Sequence, residues 1–453
     1  MKTIRNSLGV VAMTCWLGVG VAGAQTSAEQ VGCSDAALGV GLDAWGRTLV
    51  AGAAYDNRIV EWDTGHAHYA DLALSRLMPD GSVDADFGRG GNLLLDVGDF
   101  DELSEVVALG PWVYAAGVTA PTMDGRRGDR DLVVLRLGPT GQLDPTFGAT
   151  GKVTLDLGGD DELAGLALDP AGGVWLSGST ALDSASDGFI LRLTPEGVLD
   201  PDVADQGVFR VDTGSDSDRL LSIRVLANRV YAGGVSTVDG QAAAIALGLD
   251  LEGTPLASFG DQGLSLFSVG ETLGDAAVSF HGSSGSTAVT LTHLGSDGSV
   301  HAVTTLFDAR GQVAHPGPEV QLPAGTSPTG GSFWWGGALY LSGAIYNEDF
   351  SLGDAFLTRL AGEALDSSFG GGLVREHLAL EYAAYYDLAA SLESVTVAGW
   401  EFSEQAETLG DSNALVARYT ADGVLDKSFG NGGIVLHDFR GGAAVCGPAV
   451  FLP

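Results

Sequence analysis

A chain of 453 residues with 58 acidic and 22 basic side chains carries a formal net charge of −36 at neutral pH. Such a surface repels nucleic acids and anionic membranes, so both are excluded as partners. Only 18% of the residues are charged, whereas 45% are hydrophobic and 68 are glycine. This composition favours short strands joined by tight turns over long helices.

Residues 1–24 have the features of a secretory signal peptide. Lys2 and Arg5 precede an apolar run that ends in Ala22-Gly23-Ala24, a small-residue cleavage site. A membrane anchor is the alternative, but the run is shorter than about 20 residues and contains several glycines. We therefore expect cleavage after Ala24, no membrane insertion of the mature chain, and a secreted or periplasmic location.

After a short N-terminal lead (25–36), the chain repeats one pattern seven times between residues 37 and 440. Two clear copies are "VDADFGRGGNLLLDVGDFDEL" from Val83 and "LDPTFGATGKVTLDLGGDDEL" from Leu143, and the weakest is "GQVAHPGPEVQL" from Gly311. The copies lie about 57 residues apart on average. The turns that precede them contain Gly81, Gly141, Gly197, Gly253, Gly311, Glu363 and Gly423. This period predicts one repeat domain followed by a tail (441–453).

Each repeat contains four strand-like segments. In the third copy they are "LAGLALD" (163–169), "GVWLSGS" (173–179), "GFILRLT" (188–194) and "GVFRVDT" (207–213), separated by turns or polar loops. Four strands in meander order form a blade. The sequence therefore predicts an all-β fold, a seven-bladed β-propeller of four-stranded antiparallel blades.

The pattern also bears on which strands lie innermost and on which blade the last strand joins. Small residues, such as Ala115-Ala116-Gly117, crowd the first hairpin of each repeat, so we expect these strands to lie innermost, near the axis. If the strands of each blade are contiguous, "GIVLHDF" (433–439) is the outer strand of the last blade. In the competing register it closes the first blade instead.

Two cysteines remain after removal of the signal peptide, one near each end of the array. Cys33 and Cys446 can pair in an oxidising compartment if the ends of the array meet, as they do in a ring. The alternative is two unpaired buried thiols. We predict the disulfide, because a ring of contiguous blades has no exchanged strand to hold its ends together.

The repeated signature has a structural explanation. The aspartates of the good copies can accept hydrogen bonds from nearby backbone amides and fix a turn, and the glycine after phenylalanine can take a positive φ. These aspartates are Asp84, Asp144, Asp200, Asp366 and Asp426. The phenylalanines are expected to pack between neighbouring blades. They are Phe87, Phe147, Phe259, Phe369 and Phe429.

The signature also resembles a known family. A "DG" or "EG" turn, then "LDxxFGxxG", an acidic loop, an "ALAL"-like strand and a "VVAG"-like strand are similar to the bacterial delta-60 repeat. The resemblance covers essentially the whole mature chain. It implies an exported, propeller-like bacterial repeat protein and no established common activity.

The loops between consecutive repeats are acidic and are expected at the rim of the central channel. We consider these side chains candidate ligand-binding groups: Asp99, Asp101, Glu102, Asp160, Asp161, Glu162, Asp216 and Asp218. Carboxylates around one opening could bind Ca²⁺, with Asp161 and Asp218 as the metal ligands. A solvated rim is the alternative, and no cofactor is firmly predicted. Trp62, in a long loop on the same face, is a candidate anchor for a ligand.

Enzymatic motifs are scarce. His66 and His68 in "GHAHY" have metal-ligand spacing, but this pair is weak evidence beside a polar-loop explanation. We predict a monomeric, non-catalytic binding scaffold whose acidic loop face meets a protein or glycan. The alternative is a metal-dependent hydrolase, of the esterase or lactonase kind, that uses carboxylates at the channel rim.

Overall fold

The computed structural model describes residues 33–440 apart from 63–64, 124–125, 183–184, 205, 216, 239–240, 271–272, 282–284, 295–298, 336–337, 348–352, 362–363, 379–381, 392 and 403–410. The described residues form an all-β fold, which confirms the predicted class. A three-residue 3-10 turn, Gly370–Gly372, is their one helical element, so no described helix could cross a bilayer. The predicted signal peptide, Cys446, Asp216 and the side chains of Cys33, Trp62, His66 and His68 lie outside the described residues. The prediction of a long loop at Trp62 is wrong, because Trp62 ends the strand Thr48–Trp62, which pairs with Gly65–Leu77.

The strands fall into runs of four, which we call units and number in chain order. Unit 1 contains Cys33–Leu42, Thr48–Trp62, Gly65–Leu77 and Asn92–Leu95. Unit 2 contains Phe100–Leu109, Trp112–Ala120, Asp131–Leu137 and Lys152–Leu155. Unit 3 contains Asp160–Leu168, Val174–Leu182, Ala185–Leu193 and Val208–Val211. Unit 4 contains Ser217–Leu226, Arg229–Val238, Gln241–Asp250 and Leu264–Gly270.

The remaining units follow the same order. Unit 5 contains Leu273–His281, Ser286–Leu294, Val300–Phe307 and Val313–Leu322. Unit 6 contains Thr326–Trp335, Ala338–Tyr346, Gly353–Ala361 and Leu373–Glu376. Unit 7 contains Tyr382–Ala390, Ser394–Phe402, Asp411–Thr420 and Ile434–His437. Three two-residue strands, Thr122–Met123, Arg126–Arg127 and Ala364–Leu365, lie outside these runs.

Within each unit, consecutive strands pair antiparallel. In unit 3, for example, Asp161 lies opposite Thr180, Val174 opposite Leu193, and Ile190 opposite Phe209. The strand Ile434–His437 pairs with Asp411–Thr420 of its own unit. The contiguous register is therefore the observed one, and this strand does not close unit 1.

The last unit contacts the first in the way that consecutive units contact each other. A short parallel bridge joins the third strand of one unit to the first strand of the next, as between Ala70 and Phe100 or Ser186 and Ser217. The third strand of unit 7 makes the same bridge to unit 1, where Ser412 lies opposite Ser34. The two ends of the array are thus adjacent.

The core lies between units. Each signature phenylalanine is at most 1% exposed and belongs to an apolar cluster shared by two neighbouring units, as the repeat pattern predicts. Phe147 packs with Leu163 and Leu166 of the next unit, and Phe429 of unit 7 packs with Val50 and Ala73 of unit 1. Each of these side chains buries a large apolar area between neighbouring units.

The glycines of the first hairpin were expected to relieve crowding near the axis, but the structure gives a different reason for them. In every unit except unit 5 a glycine lies on the second strand, which is paired on both edges and is therefore not innermost. Each faces a β-bulge in the first strand, where the backbone comes close. A Cβ on Gly117 would lie 1.9 Å from the Glu102 carbonyl oxygen, at the bulge between Leu103 and Glu105. Close approach across the bulge, rather than crowding at an axis, requires glycine here.

A joint at each repeated signature fixes neighbouring units to each other. In unit 2, Asp144 accepts a hydrogen bond from the Thr146 amide (3.0 Å) and another from Arg136 Nε (2.8 Å). Arg136 also donates to the Pro195 carbonyl of unit 3, and its guanidinium lies 4.8 Å from the centre of the Phe147 ring. We call this arrangement the Arg–Asp–Phe clamp.

The clamp recurs in units 1 and 6, as Arg76 with Asp84 and Arg359 with Asp366, and across the closure of the array. Arg418 of unit 7 pairs with Asp426 at 2.8 Å and donates to the Pro79 carbonyl of unit 1 at 2.6 Å. The Gly430 amide (φ 52°) donates to the backbone carbonyl of Asp80 in unit 1, as the Gly148 amide (φ 53°) does to the backbone carbonyl of Glu196 in unit 3. A positive φ directs each amide into the next unit, which explains the glycine after phenylalanine.

Candidate functional site: a carboxylate cluster between units 2 and 3

An aspartate near the start of the first strand fastens the loop that arrives from the preceding unit. Asp101 is fully buried and accepts hydrogen bonds from the amides of Val97 (2.7 Å) and Gly98 and from Thr119 Oγ1 (2.5 Å). Asp218, 1% exposed, accepts from the amide and hydroxyl of Thr213 at 2.7 and 2.8 Å. These two carboxylates hold backbone in place instead of facing solvent at a rim.

Asp161 occupies the same place in unit 3 but is incompletely paired. Its Oδ2 accepts a hydrogen bond from the Leu157 amide at 2.9 Å. Its Oδ1 is buried and has no partner at hydrogen-bonding geometry among the described residues: the Thr180 hydroxyl is near enough to lower the pKa of Asp161, but it donates to the Gly158 carbonyl at 3.2 Å. Leaving a buried carboxylate oxygen unpaired is unfavourable, so this atom indicates a missing partner.

Two further carboxylates converge on Asp161. One oxygen from each of Asp131, Asp156 and Asp161 lies within 4.8 Å of the others, and the three side chains are half-buried, exposed and buried in turn. Asp131 begins the third strand of unit 2, Asp156 follows its fourth strand, and Asp161 lies in the first strand of unit 3. Three oxygen donors at this separation suit a hard cation such as Ca²⁺, with water completing the shell.

Burial and mutual repulsion shift the pKa values of the carboxyl groups in this cluster. Burial raises the pKa of Asp161, the Leu157 amide and the Thr180 hydroxyl lower it, and the Asp156 and Asp131 carboxylates raise it by smaller amounts. Burial also raises the pKa of Asp131, where Asp156 is the largest neighbouring charge. Like charges held this close destabilise one another, and a bound cation would remove that repulsion.

The equivalent positions in the flanking junctions provide a comparison. Between units 1 and 2 they hold Asp71, Asp96 and Asp101, but Asp101 is fully hydrogen-bonded and Asp71 pairs with Arg440 at 3.3 Å. Between units 3 and 4 they hold Asp187, Asp212 and Asp218, and Asp218 accepts hydrogen bonds from Thr213. Among the described residues, only the middle junction combines the three carboxylates with an unpaired buried oxygen.

The other carboxylates predicted at the rim have local partners. Asp160 pairs with Arg130 at 2.7 Å, and Glu102 accepts a hydrogen bond from the Tyr55 hydroxyl at 2.6 Å. Asp99 is half-buried, and its amide donates to the Ala120 carbonyl at 3.0 Å. Glu162 is half-buried and contributes to the raised pKa of Arg130. The structure does not bring Asp218 together with Asp161, so these two residues do not share one metal site.

A second group of carboxyls lies where first strands of neighbouring units face one another. Glu105 and Asp387 each follow the bulge in the first strand of their unit, in units 2 and 7. Gly39 holds the same position in unit 1 between them, and the Val40 amide donates to Asp387 at 2.8 Å. Burial raises the pKa of Asp387 to about 6 and that of Glu105 well above its usual range, with Asp387 adding to the shift of Glu105.

Sequence reasoning missed Asp131 and Asp156 as members of the site. Asp131 belongs to a strand, and Asp156 is an ordinary loop residue by pattern. Their recurrence, as Asp71 with Asp96 and Asp187 with Asp212, was the available signal. The clamp arginines were missed as well, although an arginine lies seven or eight residues before the aspartate in every copy that has the pair, as with Arg136 and Asp144.

Comparison with known proteins yields structural likeness alone. No family model and no curated protein sequence matches the chain. Among solved structures, the polysaccharide lyase Uly1 is 11% identical with a TM-score of 0.51, over 85% of this chain and 90% of that one. The β-propeller domain of the Trilobed protease from Pyrococcus furiosus, described as having an open velcro topology, is 8% identical with a TM-score of 0.42, over 86% of this chain and 98% of that domain. At such identities the likeness concerns the fold and transfers no activity.

Proposed function

We propose that the chain is a seven-bladed β-propeller that acts as a binding scaffold, with a calcium site at Asp131, Asp156 and Asp161 on its loop-bearing face. Each unit is one blade. The number of blades is supported by the seven runs of four strands in the described residues. Closure of the ring is supported by the contact of unit 7 with unit 1, where Arg418 donates to the Pro79 carbonyl as Arg136 of unit 2 does to the Pro195 carbonyl of unit 3.

One observation carries the calcium site: the buried, unpaired Oδ1 of Asp161 beside two other carboxylates. The cation would join the end of blade 2 to the start of blade 3 and lower the negative charge of that face. A protein or a glycan is the partner class that fits, since glycan hydroxyls can complete a calcium shell. Nucleic acid does not fit a chain of net charge −36.

The test is a thermal melt of the mature chain with EDTA, millimolar Ca²⁺ or millimolar Mg²⁺ at matched ionic strength. We expect Ca²⁺ to raise the melting temperature, because a ligand that binds only the folded state stabilises it. Asp156→Asn should abolish the shift, whereas Asp96→Asn, at the equivalent exposed position one junction earlier, should retain it. Equal shifts in both variants would refute the site.

A metal-dependent hydrolase of the esterase or lactonase kind is the second candidate. The exposure of Asp156 favours it, because an ion held there would keep coordination positions for water, and a divalent ion can lower the pKa of the water that it binds. Hydrolysis of ester and lactone substrates that requires a divalent ion, is lost in Asp156→Asn and persists in Asp96→Asn would support it. Hydrolysis that is unchanged in Asp156→Asn would remove the cluster from the reaction.

The remaining proposals concern location and covalent structure. We retain secretion or periplasmic export with cleavage after Ala24, kinship with the delta-60 repeat, a monomeric state and a disulfide between Cys33 and Cys446. The adjacency of Ser34 and Ser412 supports the disulfide, because it places the start of the ring beside its last blade. Peptide mapping without reducing agent should recover the two cysteines in one linked fragment.

A further inference from the structure

We infer that unit 5 carries a zinc site formed by His293, His301 and Glu319, separate from the carboxylate cluster of the proposed function. One ligand atom from each of the three side chains lies within 4.8 Å of the others. His293 Nε2 is 3.4 Å and His301 Nδ1 is 2.7 Å from the same Glu319 oxygen, Oε1. Two imidazoles and one carboxylate form a donor set that zinc accepts with a fourth position open to water.

The three side chains project from one face of three adjacent strands. His293 and His301 lie directly opposite each other on the second and third strands. Glu319, on the fourth strand, lies opposite Val303, two residues from His301 and therefore on the same face. Strands hold ligands more precisely than loops do, so the three donors are held close together before an ion binds.

The distances suit a tetrahedral ion. With ligand bonds of about 2.0 to 2.2 Å, donor atoms around zinc lie about 3.3 Å apart. The separation of His293 from Glu319 already has this value, and that of His301 from Glu319 needs to open by about 0.6 Å. The imidazole rings are nearly parallel, with centroids 5.1 Å apart and an interplanar angle of 13°, so one ring must rotate to direct both nitrogens at one ion.

The surroundings of the rings also fit. The other nitrogen of His301, Nε2, lies 2.6 Å from the Ser299 hydroxyl, a contact that fixes the ring as outer partners of metal-bound histidines do. The side chains of His293, His301 and Glu319 are 24%, 22% and 53% exposed, so an ion can enter from solvent. His293 Nδ1, the nitrogen that does not face Glu319, is buried without a partner among the described residues, so Ser299 provides the outer contact of His301 alone.

Unit 5 is also where the repeat signature is weakest. Its fourth strand, Val313–Leu322, has 10 residues, whereas the fourth strands of units 1, 2, 3, 6 and 7 have four. The longer strand extends the sheet far enough to place Glu319 beside the two histidines. The copy with the weakest structural signature is thus the one that carries the two histidines and the glutamate.

The test is a calorimetric titration of Zn²⁺ into EDTA-treated mature chain that carries no histidine tag. We expect one equivalent to bind. Glu319→Gln, at a half-exposed position, and His301→Ala should each weaken binding by at least about tenfold. His377→Gln, which removes a 70% exposed histidine from unit 6, should bind zinc as the parent does. Melting curves without zinc show whether each variant folds.

Cobalt separates direct ligation from loose association. Co²⁺ in the parent chain should give the intense visible absorption of a four-coordinate ion, and Glu319→Gln should lose it. Absence of saturable zinc binding, or binding and cobalt absorption unchanged in a folded His301→Ala/Glu319→Gln double variant, would overturn the proposal. Calcium plays no part in these measurements, and Asp156→Asn should leave zinc binding intact, so the two sites are tested independently.

Discussion

The Arg–Asp–Phe clamp makes a quantitative prediction about stability. Arg136 and Asp144 are 10% and 6% exposed at their side chains, and Arg136 donates to Asp144, to Thr146 Oγ1 (2.9 Å) and to Pro195. Arg136→Ala removes these bonds and leaves a buried carboxylate with Thr146 alone. Breaking one side of a buried ion pair destabilises by about 3 to 5 kcal/mol, so we expect a loss in this range in the free energy of unfolding.

The partner variant and the double variant complete a cycle. Asp144→Ala should be similarly destabilising, because it leaves the guanidinium without its carboxylate. The double variant leaves neither charge unpaired, so it should be about 1 to 3 kcal/mol more stable than the sum of the single losses implies. Unit 4 provides a natural precedent, since Gly248 and Leu256 occupy the two positions there and make the same backbone bonds.

The assay is guanidinium denaturation of the parent, both single variants and the double variant, followed by far-UV circular dichroism. Equal slopes across the four proteins would justify comparing their unfolding free energies. Additivity of the single losses within about 0.5 kcal/mol would refute the clamp as a coupled unit. The joint would then act through Phe147 and the backbone bonds alone.

Three further predictions follow from single substitutions. Gly117→Ala should destabilise the chain by about 3 kcal/mol, because the new Cβ would lie 1.9 Å from the Glu102 carbonyl oxygen. Gly46→Asn, at a position in open space, is the control. Equal melting temperatures of the two variants would contradict the bulge argument. Glu105→Gln should flatten the fall in stability between pH 5 and pH 8. In the parent, folded Glu105 retains a proton that the unfolded chain loses above about pH 4.3, so the parent becomes less stable as the pH rises. Parallel profiles of melting temperature against pH in the two proteins would count against the buried pair. Asp156→Asn should raise the melting temperature in EDTA, where it relieves repulsion at Asp161, and a lower value would show that Asp156 stabilises the unliganded chain.

The repeat signature allowed much of the fold to be predicted. Each piece of "LDPTFG" acts locally or through simple burial: Asp144 fixes its own turn, Phe147 is apolar enough to be buried, and Gly148 takes a positive φ. Such effects depend little on distant residues. The clamp was missed because an arginine in a strand is ordinarily solvent-exposed, and its true partner, the Pro195 carbonyl, belongs to another unit.

The candidate sites were harder to predict because they depend on what the neighbouring chain supplies. Asp101 and Asp161 have the same sequence context, yet one is saturated by Thr119 while the other keeps an unpaired oxygen. No pattern of charge distinguishes them. In the weakest copy, His301 lies eight residues after His293, and Glu319 lies eighteen residues after His301. Only strand register brings the three side chains to one face.

A crystal structure of the mature chain grown with calcium tests the central claim most directly. The proposal predicts a closed ring of seven four-stranded blades, with anomalous density for one cation within bonding distance of Asp131, Asp156 and Asp161. Calcium bound elsewhere, or no density at these carboxylates at saturating calcium, would contradict the site. An open array in which Arg418 does not reach Pro79 would contradict the ring.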